Sequence, residues 1–295
     1  MKLTLNARPP FSFHSAVFSH GWMQLAPFSY DEVSATLAYV DRLAAGRVLA
    51  YRLGEAPGGL SVESPDRLSP AERAEVKRRV SWMFGLEMDF SEFYALARRE
   101  PKLKRAEARA QGRVLRCPTL FEDVVKTILT TNTLWGATKR MTLNLVNQFG
   151  GPLPADPSRR AFPTPERLAK TNEAALRAET RLGYRAPYVL ELAQRIASGE
   201  LDLEALKAGD LPTPELRKRL LAIKGIGAYA AANLLVILGR YDFLPVDSWA
   251  LKMVSNEWHS GKAVTQAQVE AAFERWGGWK GLAYFVWDWD ELEKK

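Results

Sequence analysis

The chain has one cysteine, Cys117, and three histidines, at positions 14, 20 and 259. A lone thiol forms no internal disulfide, and it excludes both a cysteine-rich zinc site and a four-cysteine iron–sulfur cluster. With so few imidazoles, side-chain metal chemistry is not expected either. Long hydrophobic runs are missing too. The longest apolar stretch, Ala230 to Leu238, falls far short of the roughly 20 residues that cross a bilayer. The first ten residues carry no apolar signal core. These absences point to a cytoplasmic protein that does not enter the membrane.

What is present fits a globular chain. At 295 residues there is room for about two domains of roughly 150 residues each. Hydrophobic residues at 47% and charged residues at 25% exclude a disordered or fibrous protein. Lysine and arginine number 41 against 34 acids, a net charge of +7 that favours a polyanionic partner. Composition alone does not choose between nucleic acid and anionic lipid.

Residues 1–90 are mixed in character. Phe11–Phe18, Arg47–Leu53 and Gly58–Val62 are short, rich in β-branched or aromatic residues and punctuated by Gly and Pro, which predicts strands of a small antiparallel sheet. Between them, Tyr30 to Ala45 has helical spacing behind two capping residues, Ser29 and Asp31. From 91 to 295 the chain reads as amphipathic helices with short connections, over 92–99, 120–131, 136–149, 165–170, 188–198, 203–207, 214–223, 228–238, 248–257 and 265–276. Prolines between 152 and 165 predict an irregular loop. The expected class is therefore α+β, a small N-terminal antiparallel β/α domain followed by a mostly helical core. One basic run stands out, Arg98, Arg99, Lys102, Lys104, Arg105, Arg109, Arg113 and Arg116, and such a run is ordinarily a solvated helix face.

The segment from Thr213 to Val254 carries most of the chemistry. Thr213 and Pro214 form a helix start, a capping hydroxyl before a proline. The helix stops at Lys224, Gly225, Ile226 and Gly227, and a nearly all-apolar helix begins at Ala228. A four-residue reversal between packed helices needs a backbone that L-residues rarely adopt, hence glycine. The first amides of the second helix are unpaired and suit a phosphate oxygen, with Lys224 as a cation beside them. A plain helical hairpin would show the same turn. The stretch after the second helix is less ordinary: Phe243 to Lys252 brings a proline and an apolar residue up to Asp247, at the N-cap position of the next helix, where an aspartate is by itself a common cap.

Residues 220–233 followed by 244–249 resemble the signature of the helix-hairpin-helix (HhH-GPD) superfamily of DNA glycosylases. Residues 84–94, 128–133 and 182–193 are similar to the corresponding parts of its 3-methyladenine-II and 8-oxoguanine branches, which also open with a small α+β domain. The resemblance implies a helix-hairpin-helix at 214–238 and double-stranded DNA with a damaged base as partner. It implies that Asp247 is the catalytic aspartate, that Gly225, Ile226 and Gly227, with Lys224 and Ala228 beside them, grip the DNA backbone, and that main-chain carbonyls of Leu221, Ile223 and Ile226 hold a structural Na+ or K+. It places Asn132 where the 8-oxoguanine branch fills the gap left by the flipped base, with Thr131 and Leu134 as neighbouring candidates. Trp279 resembles a stacking residue of the 3-methyladenine-II branch, though a tryptophan there could equally be core. Tyr229 and Trp249 would complete an aromatic base pocket.

One departure bears on mechanism. Bifunctional members carry a lysine two residues after the second turn glycine, where this chain has Tyr229, and a phenol forms no imine with the sugar. The implied activity is monofunctional hydrolysis of an N-glycosidic bond without lyase chemistry, on alkylated purines, by a monomer associated with the nucleoid. Neutral oxidised bases would need hydrogen-bond recognition that no residue in the sequence identifies. Three alternatives remain open here: an 8-oxoguanine-type glycosylase, a non-enzymatic hairpin DNA-binding protein, and an anionic-lipid surface protein supported by charge alone.

Overall fold

The computed structural model describes residues 1–246 and 248–287. The chain forms two compact units, the first from Met1–Met88, Arg113–Gly209 and Ile223–Gly225, the second from Asp89–Gly112, Asp210–Ala222 and the chain from Ile226 onward.

The first unit opens with β1 (Lys2–Asn6), α1 (Phe13–Val17), β2 (Phe28–Asp31), β3 (Thr36–Arg42), β4 (Val48–Ala56), β5 (Gly59–Glu63) and α2 (Pro70–Met83). The strands form an antiparallel sheet in the order β1-β5-β4-β3-β2. Alternate residues face its core. Leu5 pairs with Leu60, Leu37 with Leu53 and Tyr39 with Tyr51, and all six are buried.

Two expectations are corrected here. Tyr30 to Ala45 is not a helix but most of a hairpin, β2 and β3. Its inward residues Leu37 and Tyr39 repeat every two positions, and the Asp31 side chain accepts from the Val33 amide at 3.1 Å to fold the connection. Phe11–Phe18 is not a strand. Ser12 accepts from the Ser15 amide at 3.1 Å and caps α1, whose Phe13 stacks on Phe84 at 5.5 Å. Unanticipated, α2 carries a full capping box, Ser69 with Glu72, and Pro70 in its first turn.

The second unit contributes α3 (Ser91–Ala97), and the first continues with α4 (Leu120–Thr130), α5 (Trp135–Phe149), a short hairpin of β6 (Pro152–Leu153) and β7 (Asp156–Arg160), then α6 (Pro165–Ala169), α7 (Glu173–Thr180), α8 (Ala186–Ala197) and α9 (Leu203–Ala208). The Pro-rich stretch expected as a loop thus holds a two-stranded hairpin. Helix α4 is buried on every side from Leu120 to Leu129. It carries three ionisable residues in that interior. Lys126 donates to Glu122 at 2.7 Å, Tyr39 donates to the other Glu122 oxygen at 2.6 Å, and the Trp22 indole donates to Asp123 at 2.8 Å. Burial pushes the Asp123 carboxyl up to about 6.

The remaining helices belong to the second unit: α10 (Thr213–Leu221), α11 (Ala228–Ile237), α12 (Ser248–Trp258), α13 (Gln266–Phe273) and α14 (Lys280–Val286). Their core is aromatic. Phe93 lies 5.9 Å from Trp276, and Phe273 lies 5.5 Å from Trp287. Among the described residues, no helix is long and apolar enough to cross a membrane.

The basic run is not a helix face, which corrects the ordinary reading of it. α3 ends at Ala97 and residues 100–112 are turns. Arg98 pairs with Glu107 at 2.7 Å, and Lys102 pairs with Glu257. Arg113 is buried, donating to the carbonyls of Arg8, Pro10, Gly85 and Met88, and Arg116 lies 4.3 Å over the Trp82 ring. Arg113 and Arg116 are thus tied into the fold, whereas Arg98, Arg99, Lys104 and Arg105 remain exposed to solvent.

Candidate nucleic-acid and base site

The hairpin forms where the sequence places it. Leu216 and Leu220 bury one face of α10, and α10 packs on α11. Thr213 is the first helical residue rather than the cap, and its hydroxyl donates to Asp242 at 2.7 Å, which corrects its expected capping role. Gly225 has φ +88, and a Cβ there would come within 2.7 Å of the Tyr188 ring, so both backbone and space require glycine. Gly227, by contrast, is extended at φ −89 and caps α11 without a side-chain partner. A Cβ on Gly227 would meet nothing within 4 Å. The first amides of α11 therefore carry no side-chain cap.

Lys224 is exposed, pairs with Glu191 at 3.1 Å and lies 5.9 Å over Tyr188. Ile223 and Ile226 are buried. The carbonyls of Leu221, Ile223 and Ile226 accept no main-chain hydrogen bond among the described residues.

Along α11, Tyr229, Ala232, Asn233 and Val236 fall on one face at the 3, 4 and 7 spacing of a helix. With Pro245, Trp249 of α12, and Gly281, Tyr284 and Phe285 of α14 they line a cavity of about 180 Å³. That is below the ~300–1,000 Å³ of pockets for larger ligands. Tyr229 is 57% exposed and Trp249 50% exposed, unusual for large apolar rings in a packed helical unit. Gly281 closes the wall. Its amide donates to the Tyr241 carbonyl at 2.7 Å, and a Cβ would lie 2.2 Å from the Phe243 carbonyl oxygen. Among the described residues, no charged side chain lines it.

Two of the three expected pocket aromatics, Tyr229 and Trp249, thus meet in one cavity. Trp279 does not line it. It stacks on Tyr241 at 5.4 Å and lies 5.9 Å from both Phe90 and Phe93. Asp247 lies outside the described residues. Pro245 and Trp249, two positions to either side of it in the chain, both line the cavity. Asn233, Tyr284 and Phe285 were not anticipated. Asn233 was legible as the polar residue on the apolar face of α11, whereas Tyr284 and Phe285 sit in a terminal helix that the expected elements omit.

In the first unit, Asn132 occupies a tight corner after α4 with φ +45 and is exposed. Leu134 beside it is 83% exposed. The buried Arg185 guanidinium donates to the carbonyls of Thr131 and Asn132, the latter at 3.3 Å, and lies 4.4 Å over the Tyr184 ring. Two larger clefts of this unit, of about 850 and 420 Å³, are lined by none of the expected site residues.

The chain is similar to known proteins over most of its length. Residues 125–278 match the model of the HhH-GPD superfamily base excision DNA repair proteins. The chain is 25% identical over 224 residues to the DNA-3-methyladenine glycosylase of Bacillus subtilis (strain 168), covering 73% of this chain and 72% of that one. To the DNA-3-methyladenine glycosylase 2 of Escherichia coli (strain K12) it is 29% identical over 184 residues, 61% of each. The fold superimposes on the 3-methyladenine DNA-glycosylase from Archaeoglobus fulgidus with a TM-score of 0.76 at 21% identity, covering 97% of both chains.

Proposed function

Because the chain belongs to the HhH-GPD superfamily of base excision DNA repair proteins and is a DNA glycosylase, we propose that it acts without a lyase step, with Asp247 as its catalytic carboxylate and alkylated purines as its principal substrates. The observation that carries this reading is the aromatic cavity of about 180 Å³ lined by Tyr229 and Trp249; by the resemblance, Tyr229 falls where bifunctional members carry a lysine. A planar, electron-poor ring stacks well against such walls. The names of the bacterial relatives support the same substrate class.

The sequence of events follows from the chemistry. A base inside a duplex is out of reach, so the nucleotide is flipped out, at a cost of a few kcal/mol that is least for a poorly paired base. The Asn132 corner fills the vacated space. Amides at the start of α11 and the Lys224 ammonium hold backbone phosphates, which positions the duplex without reading its sequence. Main-chain carbonyls of Leu221, Ile223 and Ile226 would hold a Na+ or K+, which when bound adds positive charge at the hairpin. As the N-glycosidic bond breaks, its electron pair leaves with the base and positive charge develops on the sugar. Asp247 stabilises that charge and orients or deprotonates the water that attacks C1′. An alkylated purine already carries positive charge and departs readily. No metal, haem or iron–sulfur group is required for these steps, and a monomer acting in the nucleoid suffices for them.

Duplexes bearing 7-methylguanine provide the test. Asp247→Asn lowers excision by about 10³-fold while duplex affinity stays within about threefold, and unchanged excision would remove Asp247 from the mechanism. Borohydride traps no covalent complex with the wild type. Efficient trapping would mean that another amine does imine chemistry.

A further inference from the structure

The loop between α11 and α12 leads to Asp247, yet its own backbone does little to fix it. Among the described residues, 242–246 make no main-chain hydrogen bond outside the helices, and Pro245 has no N–H to offer. Side chains hold the loop instead. On one side Gly281 of α14 packs against the Tyr241 and Phe243 carbonyls. On the other, two residues of α10 four positions apart, and so on one face of that helix, reach successive residues of the loop. The Thr213 hydroxyl donates to Asp242 at 2.7 Å, and the Arg217 guanidinium lies 4.7 Å over the Phe243 ring. Arg217 has no carboxylate partner among the described residues, and its Nε is buried without a hydrogen bond. Buried polar groups are nearly always paired, so a guanidinium left in this state, with a ring face as its main contact, calls for a reason beyond folding.

We propose that Arg217, assisted by Thr213, is a positioning residue for excision: from α10 it clasps the loop that presents Asp247 to the sugar. The proposal rests on reading Asp247 as the catalytic carboxylate. A carboxylate stabilises charge at C1′ only from a fixed place, and a misplacement of about 1 Å can cost a hundredfold in rate. The clasp supplies that fixity where the main chain does not. Its origin matters as well. Because α10 is the first helix of the hairpin, the loop is registered on the same element whose turn meets the backbone phosphates. Phosphate grip and carboxylate placement then share one rigid reference, and the planar guanidinium stacked on Phe243 is the part of the clasp nearest Asp247 in the chain.

The test is a double-mutant cycle of Arg217→Leu with Asp247→Asn, read as single-turnover excision of 7-methylguanine at saturating enzyme, with duplex affinity measured beside it. In otherwise wild-type protein Arg217→Leu slows excision about tenfold, while affinity stays within about twofold. Arg217→Lys, which keeps a cation over the ring, recovers part of the rate. In the Asp247→Asn background Arg217→Leu changes the remaining rate by less than about twofold, because the group it positions has already lost its charge. A residue that merely supports the fold would cost the same in both backgrounds. Should Arg217→Leu fail to fold, Thr213→Val, which removes only the hydroxyl bonded to Asp242, carries the same cycle with a loss of about threefold. Equal losses in both backgrounds, an unchanged rate in Arg217→Leu, or an affinity that falls as far as the rate would each overturn the proposal. Excision that survives Asp247→Asn refutes instead the reading of Asp247, and the clasp falls with it.

Discussion

The centre of α4 and the cavity along α11 treat polar groups in opposite ways. Around α4, Glu122, Asp123 and Lys126 are sealed from water, and each finds its partner inside the protein. Along α11, a neutral amide without a partner sits among half-exposed rings. The first arrangement is what folding requires, since an unpaired charge in that interior would cost several kcal/mol. The second is tolerable because the amide remains in reach of water until a ligand replaces it. Pairing is therefore completed inside the protein around α4 and left to solvent at Asn233.

The largest expected effect tests this contrast directly. Glu122→Ala leaves the Lys126 ammonium and the Tyr39 hydroxyl without their acceptor, so unfolding free energy falls by about 3–5 kcal/mol. Asn233→Leu, although it changes a polar residue of comparable size, shifts stability by less than about 1 kcal/mol. Urea or thermal melts of both variants decide the matter, and equal losses would erase the distinction.

A second effect belongs to the sealed region. The His20 imidazole is bonded to the Leu115 carbonyl at 2.7 Å and packs at 4.5 Å on Trp22, and burial lowers its pKa to about 4, with the Lys126 charge acting in the same direction. Its folded pKa lies below its unfolded value near 6.5, so the unfolded chain takes up the proton first. The stability it contributes is complete above about pH 6.5 and is lost as pH falls toward 4. Asp123 and Asp41, both raised to about 6 by burial, work the other way and lose stability as pH rises from about 4 to 6. Between pH 7 and 4.5 the His20 contribution alone declines by about 2 kcal/mol. His20→Gln should flatten the acid limb of the stability profile by that amount, and an unchanged limb would mean that another group sets it.

How much of this was legible depends on where the specifying interactions lie. The hairpin was readable because its determinants are local: Gly225 needs its backbone conformation within four residues of chain. The helices around it followed from period and caps. The β2–β3 hairpin was misread, because Ser29 and Asp31 look like caps and the deciding fact, Tyr39 facing Tyr51 across the sheet, lies twelve residues away. The end of the basic run was misread for the same reason, while Arg98, Arg99, Lys104 and Arg105 are solvent-exposed as expected. Arg113 is a structural residue only because carbonyls of Arg8 and Pro10, about a hundred positions earlier, come to it. In the candidate site, Tyr229 and Trp249 were found by their positions in the motif. Trp279 fell into the aromatic cluster with Tyr241, and Asn233, legible as a polar residue on the apolar face of α11, was placed in a cavity only once that face was set beside α14.

Arg185 combines both kinds of behaviour. Its guanidinium is buried, spends two bonds on the carbonyls at the Asn132 corner, and keeps an Nε without a partner among the described residues. It acts on the reaction as a positioning residue, by holding the left-handed turn that presents Asn132 and the exposed Leu134. Arg185→Ala should slow excision of 7-methylguanine about tenfold with duplex affinity nearly unchanged, and Arg185→Lys should recover part of the rate because an ammonium still reaches one carbonyl. Loss of affinity with an unchanged rate would make it a phosphate contact instead.

The smallest effect concerns Lys224, the cation beside the open end of α11. Its ion pair with Glu191 at 3.1 Å is exposed on both sides, so it is worth little and competes weakly with a phosphate. Binding one phosphate releases about one counterion from the duplex, which fixes the expected magnitude. Lys224→Gln should weaken binding to undamaged duplex about threefold at ~0.1 M salt and make the slope of log affinity against log salt shallower by about 0.9. Excision at saturating enzyme stays at the wild-type rate, because the phosphate contact is made equally before and during bond breakage. Glu191→Gln should move binding slightly the other way, since it frees the same ammonium. An unchanged salt slope in Lys224→Gln would leave the bare amides of α11 as the hairpin's sole grip on the backbone, and would place the binding cations elsewhere on the +7 chain.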